Sequence, residues 1–197
     1  KQDKQGVAII ARLAANLVET SGATSALLMD LHSPQAQGFF RVPAHVLTAR
    51  NVLVDYLKTL DLSDAVLVSP DAGEVKDLAP YTDMLSLPMA IIDKRRYDDT
   101  ETPHTHNIVV DVRNKTAILI DDEIASGGTI CSSAEYLMAC GARRVWALCT
   151  HPVFSGNAVN RLKAAPIERL IVTDSIPLPP EKRMDKLTVL SIAPVLA

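Results

Sequence analysis

Apolar residues recur along the chain in two patterns, and their alternation predicts a layered α/β protein. Over 6–20, Val7, Ile10, Leu13, Ala14, Leu17 and Val18 fall at helical spacing, and Gly22 supplies the left-handed residue that stops a helix. Further helices are predicted over 49–60, 75–85, 129–140 and 158–164, with Gly141 closing 129–140. Short apolar runs rich in β-branched residues predict strands over 25–29, 65–68, 89–92, 108–112, 117–120, 145–149 and 170–173. The polar, proline-containing segments 97–106 and 177–183 predict loops, the first of them mobile, and 187–196 is a last apolar stretch. Short buried strands alternating with helices predict a mostly parallel sheet with helices on both faces.

Composition narrows the partners more than it alters this picture. With 48% hydrophobic residues, the 197-residue chain can bury a substantial core. A net charge of −3 argues against nucleic acid or an anionic membrane and leaves small ligands and protein partners. No apolar run reaches the ~20 residues that span a bilayer, and the opening Lys-Gln-Asp-Lys is not a signal peptide, so a cytoplasmic location is expected. Cys131, Cys140 and Cys149 lack metal-ligand spacing and read as reduced core thiols. The abrupt charged start and apolar last residue lead to the expectation that the sequence is part of a longer protein.

The candidate chemistry gathers where strands end. The run 116–129 reads Thr-Ala-Ile-Leu-Ile-Asp-Asp-Glu-Ile-Ala-Ser-Gly-Gly-Thr, a strand that runs into acids, then a small-residue turn, then a helix. Ser126, Gly127, Gly128 and Thr129 can turn successive N–H groups toward one anion, with the helix N-terminus adding a favourable dipole. Asp121 and Asp122 would repel a phosphate and suit hydroxyl groups or Mg²⁺ instead, so the whole stretch reads as a sugar-phosphate site. The alternative is a helix cap beside a solvated acidic pair. Asp93-Lys94-Arg95-Arg96 follows another strand and leads into the predicted mobile loop. Such a cationic loop facing a phosphate site can neutralise charge on a transferred phosphoryl group. His32 and Asp71 each follow a strand and together could hold Mg²⁺ on a polyphosphate. His104 and His106 read as solvated, and His151 has no assigned role.

These motifs resemble, across nearly the whole chain, the ribose-phosphate pyrophosphokinases (phosphoribosyl pyrophosphate synthetases). The resemblance rests on Asp30-Leu31-His32 with Gln37-Gly38-Phe39-Phe40, on Ser69-Pro70-Asp71-Ala72-Gly73 and on Asp93-Lys94-Arg95-Arg96. Ile120-Asp121-Asp122, Gly127-Gly128-Thr129-Ile130 and Thr150-His151-Pro152-Val153-Phe154-Ser155-Gly156 continue it in the family's order. It implies two tandem domains of the type I phosphoribosyltransferase fold, the first incomplete here. Residues 1–48 would be the remnant of the N-terminal domain, 49–185 the C-terminal domain, and 186–197 a final strand or tail packing back on the N-terminal domain.

The implied reaction transfers the β,γ-diphosphoryl group of ATP to the anomeric hydroxyl of ribose 5-phosphate, giving phosphoribosyl diphosphate and AMP. The resemblance implies a Mg²⁺-dependent cytoplasmic transferase of nucleotide biosynthesis and a homo-oligomer built from dimers into hexamers, with no nucleic-acid or membrane partner. Carried over by motif, Gln2, Asp3 and His32 would hold ATP, His32 and Asp71 the metal, and Lys94 and Arg96 the transferring group. Asp121 and Asp122 would hold the ribose hydroxyls, and Ala125, Ser126, Gly127, Gly128 and Thr129 the 5-phosphate. The chain departs from the family pattern at Lys1, Glu74, Ser126 and, at the head of the phosphate loop, Ala125, where the family carries an acid. Because most of the first domain is absent, activity is expected of the parent protein rather than of the isolated chain. The alternatives are a phosphoribosyltransferase that consumes phosphoribosyl diphosphate, and a noncatalytic regulatory homologue that binds nucleotide or sugar phosphate.

Overall fold

The computed structural model describes residues 9–70, 75–94, 106–108 and 110–197. The chain divides into two units, Lys1–Ala49 and Arg50–Ala197. In the first, helix α1 (Ile10–Thr20) is followed by strand β1 (Ala26–Met29), a 3₁₀ turn (Pro34–Phe39) and strand β2 (Ala44–Leu47). Gly22, at φ +98°, ends the α1 segment, and its N–H donates to the Glu19 carbonyl at 3.0 Å. Strands β1 and β2 pair in parallel, Ala26 opposite Ala44 and Met29 opposite Leu47. The intervening turn is tied down by Gln37, whose Nε2 donates to the Ala44 carbonyl at 2.8 Å. Strand β2 was not expected. It follows Pro43 directly, and His45 and Val46 are both exposed, so no alternation of apolar and polar positions marks it. The apolar stripe of α1 is present as predicted, but Ile10, Leu13 and Leu17 are 71%, 57% and 62% exposed within this unit.

The second unit runs α2 (Arg50–Leu57), β3 (Ala65–Ser69), α3 (Val75–Leu85), β4 (Met89–Lys94), β5 (His106–Ile108), β6 (Thr116–Glu123) and α4 (Gly128–Ala139). It continues with β7 (Arg144–His151), α5 (Ala158–Ala164), β8 (Arg169–Thr173), β9 (Leu187–Leu190) and α6 (Ala193–Leu196). The strands form a seven-stranded sheet in the order β5-β4-β3-β6-β7-β8-β9. Every neighbouring pair is parallel except β4 with β5. The stretch 186–197 thus carries β9, which pairs along the edge of β8 with Leu170 opposite Leu187.

Alternate residues of the central strands feed two cores. Leu67, Ile118, Ile120 and Leu148 pack with Leu53, Leu57 and Leu78 of α2 and α3. Val66, Val68, Leu119 and Ala147 pack with Ile130 and Leu137 of α4 and Leu162 of α5. Because both faces are covered, these strands are unbroken apolar runs, which is why the sequence marks them so clearly.

The strand expected over 108–112 is corrected. Among the described residues the pairing with β4 reaches Ile108, and the segment from Val110 onward is bend and turn. The Asp111 carboxylate accepts the Arg113 N–H at 3.0 Å, and Asn114 takes a left-handed φ of +59°. Local turn chemistry therefore outweighs the apolar character of Val110 and Val112. Strand β6 also runs further than expected, so the acids lie on the strand itself.

At the amino-terminal edge of the sheet, Thr116 Oγ1 donates to Asp64 at 3.0 Å and accepts from Arg144 Nε at 2.9 Å. Arg143 forms an ion pair with Asp64. The guanidinium groups of Arg144 and Arg169 lie 5.5 and 5.4 Å from the Trp146 ring centre. This network ties β6, β7 and β8 at the end opposite the acids.

Candidate functional site

After β3 the chain passes to β4 on one side, then returns to place β6 on the other side of β3. Reversals of this kind open a crevice at the carboxyl ends of the two strands, where ligands bind in open α/β sheets. The end of β6 supplies Asp121 and Asp122, both half-buried, and the exposed Glu123. Asp121 Oδ1 accepts the Asp122 N–H at 2.9 Å, which fixes the first carboxylate against its own backbone. In register across β7, Asp121 stands opposite Cys149 and Glu123 opposite His151.

Beyond β6 the chain turns through 124–127 into α4. Gly127 is the residue before the helix, with φ +75°, a conformation that costs any side chain roughly 1–2 kcal/mol. The turn is held from behind by the segment after β7. The N–H of Phe154 donates to the Ile124 carbonyl at 3.0 Å, and that of Ser155 to the Ala125 carbonyl at 2.9 Å. Arg161 Nη1 donates to the Ser126 carbonyl at 3.2 Å, and the Cys131 N–H to the Gly127 carbonyl at 3.0 Å. A carbonyl and the N–H of the next residue point in opposite directions across a planar peptide. Pinning the Ile124, Ala125 and Ser126 oxygens behind the loop therefore turns the N–H groups of Ala125, Ser126 and Gly127 away from the brace, while the Gly128 N–H donates to Ser126 Oγ at 3.4 Å. With the first turn of α4, that arrangement can hold an anion.

Phe154 pays for its part in this brace with a left-handed φ of +45°, while its ring is buried at 1% exposure. His151 anchors the same segment: its carbonyl accepts the Ile124 N–H at 3.0 Å. The Ser175 hydroxyl gives its proton to the Thr150 carbonyl at 2.8 Å, so the His151 Nδ1 that lies 3.0 Å from it acts as the donor. Thr150 to Gly156 stands out in the sequence as a motif, but its work as the brace, together with that of Arg161, does not. The available signal was a turn containing Ser155 and Gly156 before a helix, but its contact with residues so distant in sequence is not written in either segment.

Of the sequence-derived site residues, Asp121, Asp122, Ala125, Ser126, Gly127, Gly128 and Thr129 come together here. His32 is exposed in the loop after β1, in the other unit. Lys94 is the last residue of β4. Gln2, Asp3, Asp71, Arg95, Arg96, His104 and nearly all of the expected loop over 97–106 lie outside the described residues. Among the described residues no group of three or more His, Cys, Asp or Glu side chains forms a metal cage. The hard carboxylate oxygens of Asp121 and Asp122 nevertheless match what Mg²⁺ takes when a substrate's oxygens complete its shell.

Cys131, Cys140 and Cys149 are free thiols. Burial, with the nearby Asp121 carboxylate, pushes the Cys149 thiol well above its ordinary range, and burial with Glu135 raises Cys131. Neither is a poised nucleophile.

The sheet and its covering helices form a type I phosphoribosyltransferase-like fold. Comparison with known proteins makes the assignment narrower. The family model for the phosphoribosyl synthetase-associated domain matches residues 98–197. The ribose-phosphate pyrophosphokinase of Bacillus caldolyticus is 48% identical over 189 residues, covering 96% of this chain and 60% of the relative. That of Bacillus subtilis (strain 168) is 47% identical over 189 residues, covering 96% and 59%. The crystal structure of phosphoribosylpyrophosphate synthetase from Mycobacterium smegmatis superposes with a TM-score of 0.90 at 38% identity, covering 100% of this chain and 64% of that one. The chain belongs to the ribose-phosphate pyrophosphokinase family, and it spans about 60% of the length of the curated relatives it matches.

Proposed function

We propose that the full-length protein is a ribose-phosphate diphosphokinase, which makes phosphoribosyl diphosphate and AMP from ATP and ribose 5-phosphate. The observation that carries this reading is the pairing of half-buried acids on β6 with an outward-turned loop of N–H groups, in a chain nearly half identical to named ribose-phosphate pyrophosphokinases. The loop 125–129 receives the 5-phosphate. Asp121 and Asp122 accept the ribose hydroxyls, whose donors a carboxylate pairs with more strongly than a neutral acceptor does.

In this scheme the anomeric oxygen forms a bond to the β-phosphorus of ATP. The bond from that phosphorus to the α,β-bridging oxygen breaks, AMP leaves with the bridging oxygen, and the hydroxyl proton passes to solvent. Mg²⁺, when bound, neutralises charge on the polyphosphate. By motif, Lys94 and Arg96 serve the transferring group, His32 and Asp71 the metal-nucleotide, and Gln2 and Asp3 the nucleotide. The loop's backbone groups are fixed before substrate arrives, so the protein's part is positioning and charge neutralisation. A backbone-built cradle also accommodates Ala125, whose side chain it does not need. The proposed setting is a cytoplasmic homo-oligomer, and no described helix is long and apolar enough to cross a membrane.

Incubation of the full-length protein with ATP, Mg²⁺ and ribose 5-phosphate tests the reading. AMP that appears only when the sugar phosphate is present supports it; ADP alone, or no nucleotide product, overturns it.

A further inference from the structure

Every carbonyl from Ile124 to Gly127 has a donor behind it, and three of those donors are backbone N–H groups. The exception is the Ser126 carbonyl, which is held by the Arg161 side chain at 3.2 Å, across 35 positions of sequence. Ser126 is the peptide on which the loop depends most, because its carbonyl orientation sets the direction of the Gly127 N–H at the residue with the positive φ. Without a partner this carbonyl could turn toward the anion and present an oxygen where a donor is needed.

The position of Arg161 is itself built. Its N–H donates to the Asn157 carbonyl at 3.2 Å in the first turn of α5, and its carbonyl accepts from Ala165 at 2.9 Å, so the helix fixes its backbone at both ends. The adjacent Leu162 is fully buried against the loop, its Cγ 3.6 Å from where a Cβ on Gly127 would stand. The guanidinium then lies against the loop, with Nη1 4.0 Å from the corresponding point on Gly128. It carries a permanent positive charge there, which favours an anion on the outward side.

We propose that Arg161 is a positioning residue of the anion loop: it locks the Ser126 peptide so that the Gly127 N–H faces the bound phosphate. The identity of the sugar phosphate rests on the function proposed above, whereas the role of Arg161 toward a phosphate group does not. Lysine can replace the charge and one donor but not the planar fork, so the conservative variant separates the two contributions.

The test uses the full-length protein as wild type, Arg161→Ala and Arg161→Lys, titrated calorimetrically with inorganic phosphate and with ribose 5-phosphate, alongside steady-state kinetics. Arg161→Ala is expected to weaken phosphate and ribose 5-phosphate binding about tenfold, with Arg161→Lys between it and wild type. In turnover, KM for ribose 5-phosphate rises while KM for ATP and the melting temperature stay near wild type. Unchanged affinity in Arg161→Ala, or an equal rise in both KM values, overturns the proposal. Wild type that binds inorganic phosphate but not ribose 5-phosphate removes the sugar reading, and the Arg161 comparison is then decided on phosphate alone. Wild type that binds neither overturns both.

Discussion

Gly127 and Leu162 stand so close that a side chain added to the glycine would meet Leu162 Cγ at 3.6 Å. That distance is ordinary contact, so space does not require glycine here; the left-handed φ of +75° does. Gly127→Ala is therefore expected to fold and to lose roughly 1–2 kcal/mol through backbone strain. The strain lies in the anion loop, so affinity for ribose 5-phosphate should fall with stability. Denaturant melts and sugar-phosphate titrations of the same variant check this, and an alanine variant with wild-type affinity would show that the loop does not need this conformation.

Asp121 and Asp122 can be separated from the shape of their loop. Asp121 Oδ1 accepts the Asp122 N–H, a bond that an asparagine oxygen also makes. Asp121→Asn and Asp122→Asn should keep the backbone intact yet weaken ribose 5-phosphate binding about tenfold or more, because hydroxyl donors lose a charged acceptor. The prediction is read as a rise in KM for the sugar phosphate with KM for ATP unchanged. A rise confined to ATP would move the acids to the nucleotide side.

Much of this site was legible because the sequence writes local chemistry locally. Asp121 to Thr129 lie on one strand-turn-helix, and their order alone implies acids beside an anion loop. The cores were equally plain, since strands such as Ala65–Ser69, covered on both faces, carry no polar interruption. What escaped was either weakly patterned or distant. Strand β2 has only four residues, two of them exposed, and its pairing with β1 depends on the chain brought back by the turn around Gln37. The strand expected over 108–112 failed because Asp111 and Asn114 make a turn that β-propensity does not register. Phe154, Ser155 and Arg161 were invisible as parts of the site because they touch it only through backbone carbonyls.

Asp64 offers a control at the far end of the sheet. It accepts Thr116 Oγ1 and pairs with Arg143, tying β6 to the turn before β7. Asp64→Ala leaves Arg143 and the Thr116 hydroxyl without their carboxylate, at a cost of about 2 kcal/mol. A lower melting temperature with unchanged substrate KM values is the expected result. Altered KM values would mean that the two ends of the sheet are coupled.

Asp111 and Arg113 predict a specific acid response. The Arg113 side chain, and then its backbone N–H, hydrogen-bond the Asp111 carboxylate and hold its pKa at about 2. An aspartate in an unfolded chain titrates near ~3.9, so the folded pKa is depressed. The stabilisation is present above pH ~4 and is lost as pH falls toward 2. Carboxyl NMR titration should find Asp111 still ionised at pH ~3 and returned to the ordinary range in Arg113→Gln. An ordinary titration in the wild type would remove the turn's ionic component.

The central claim is transfer of an intact diphosphoryl group to a sugar phosphate held on the β6 end. Following the full-length protein with ATP, Mg²⁺ and ribose 5-phosphate by ³¹P NMR reads it directly. Equimolar AMP and a sugar diphosphate ester whose phosphorus signals remain coupled are the expected products. ADP with a singly phosphorylated anomeric position, or diphosphate released only when a nucleobase is supplied, would contradict it.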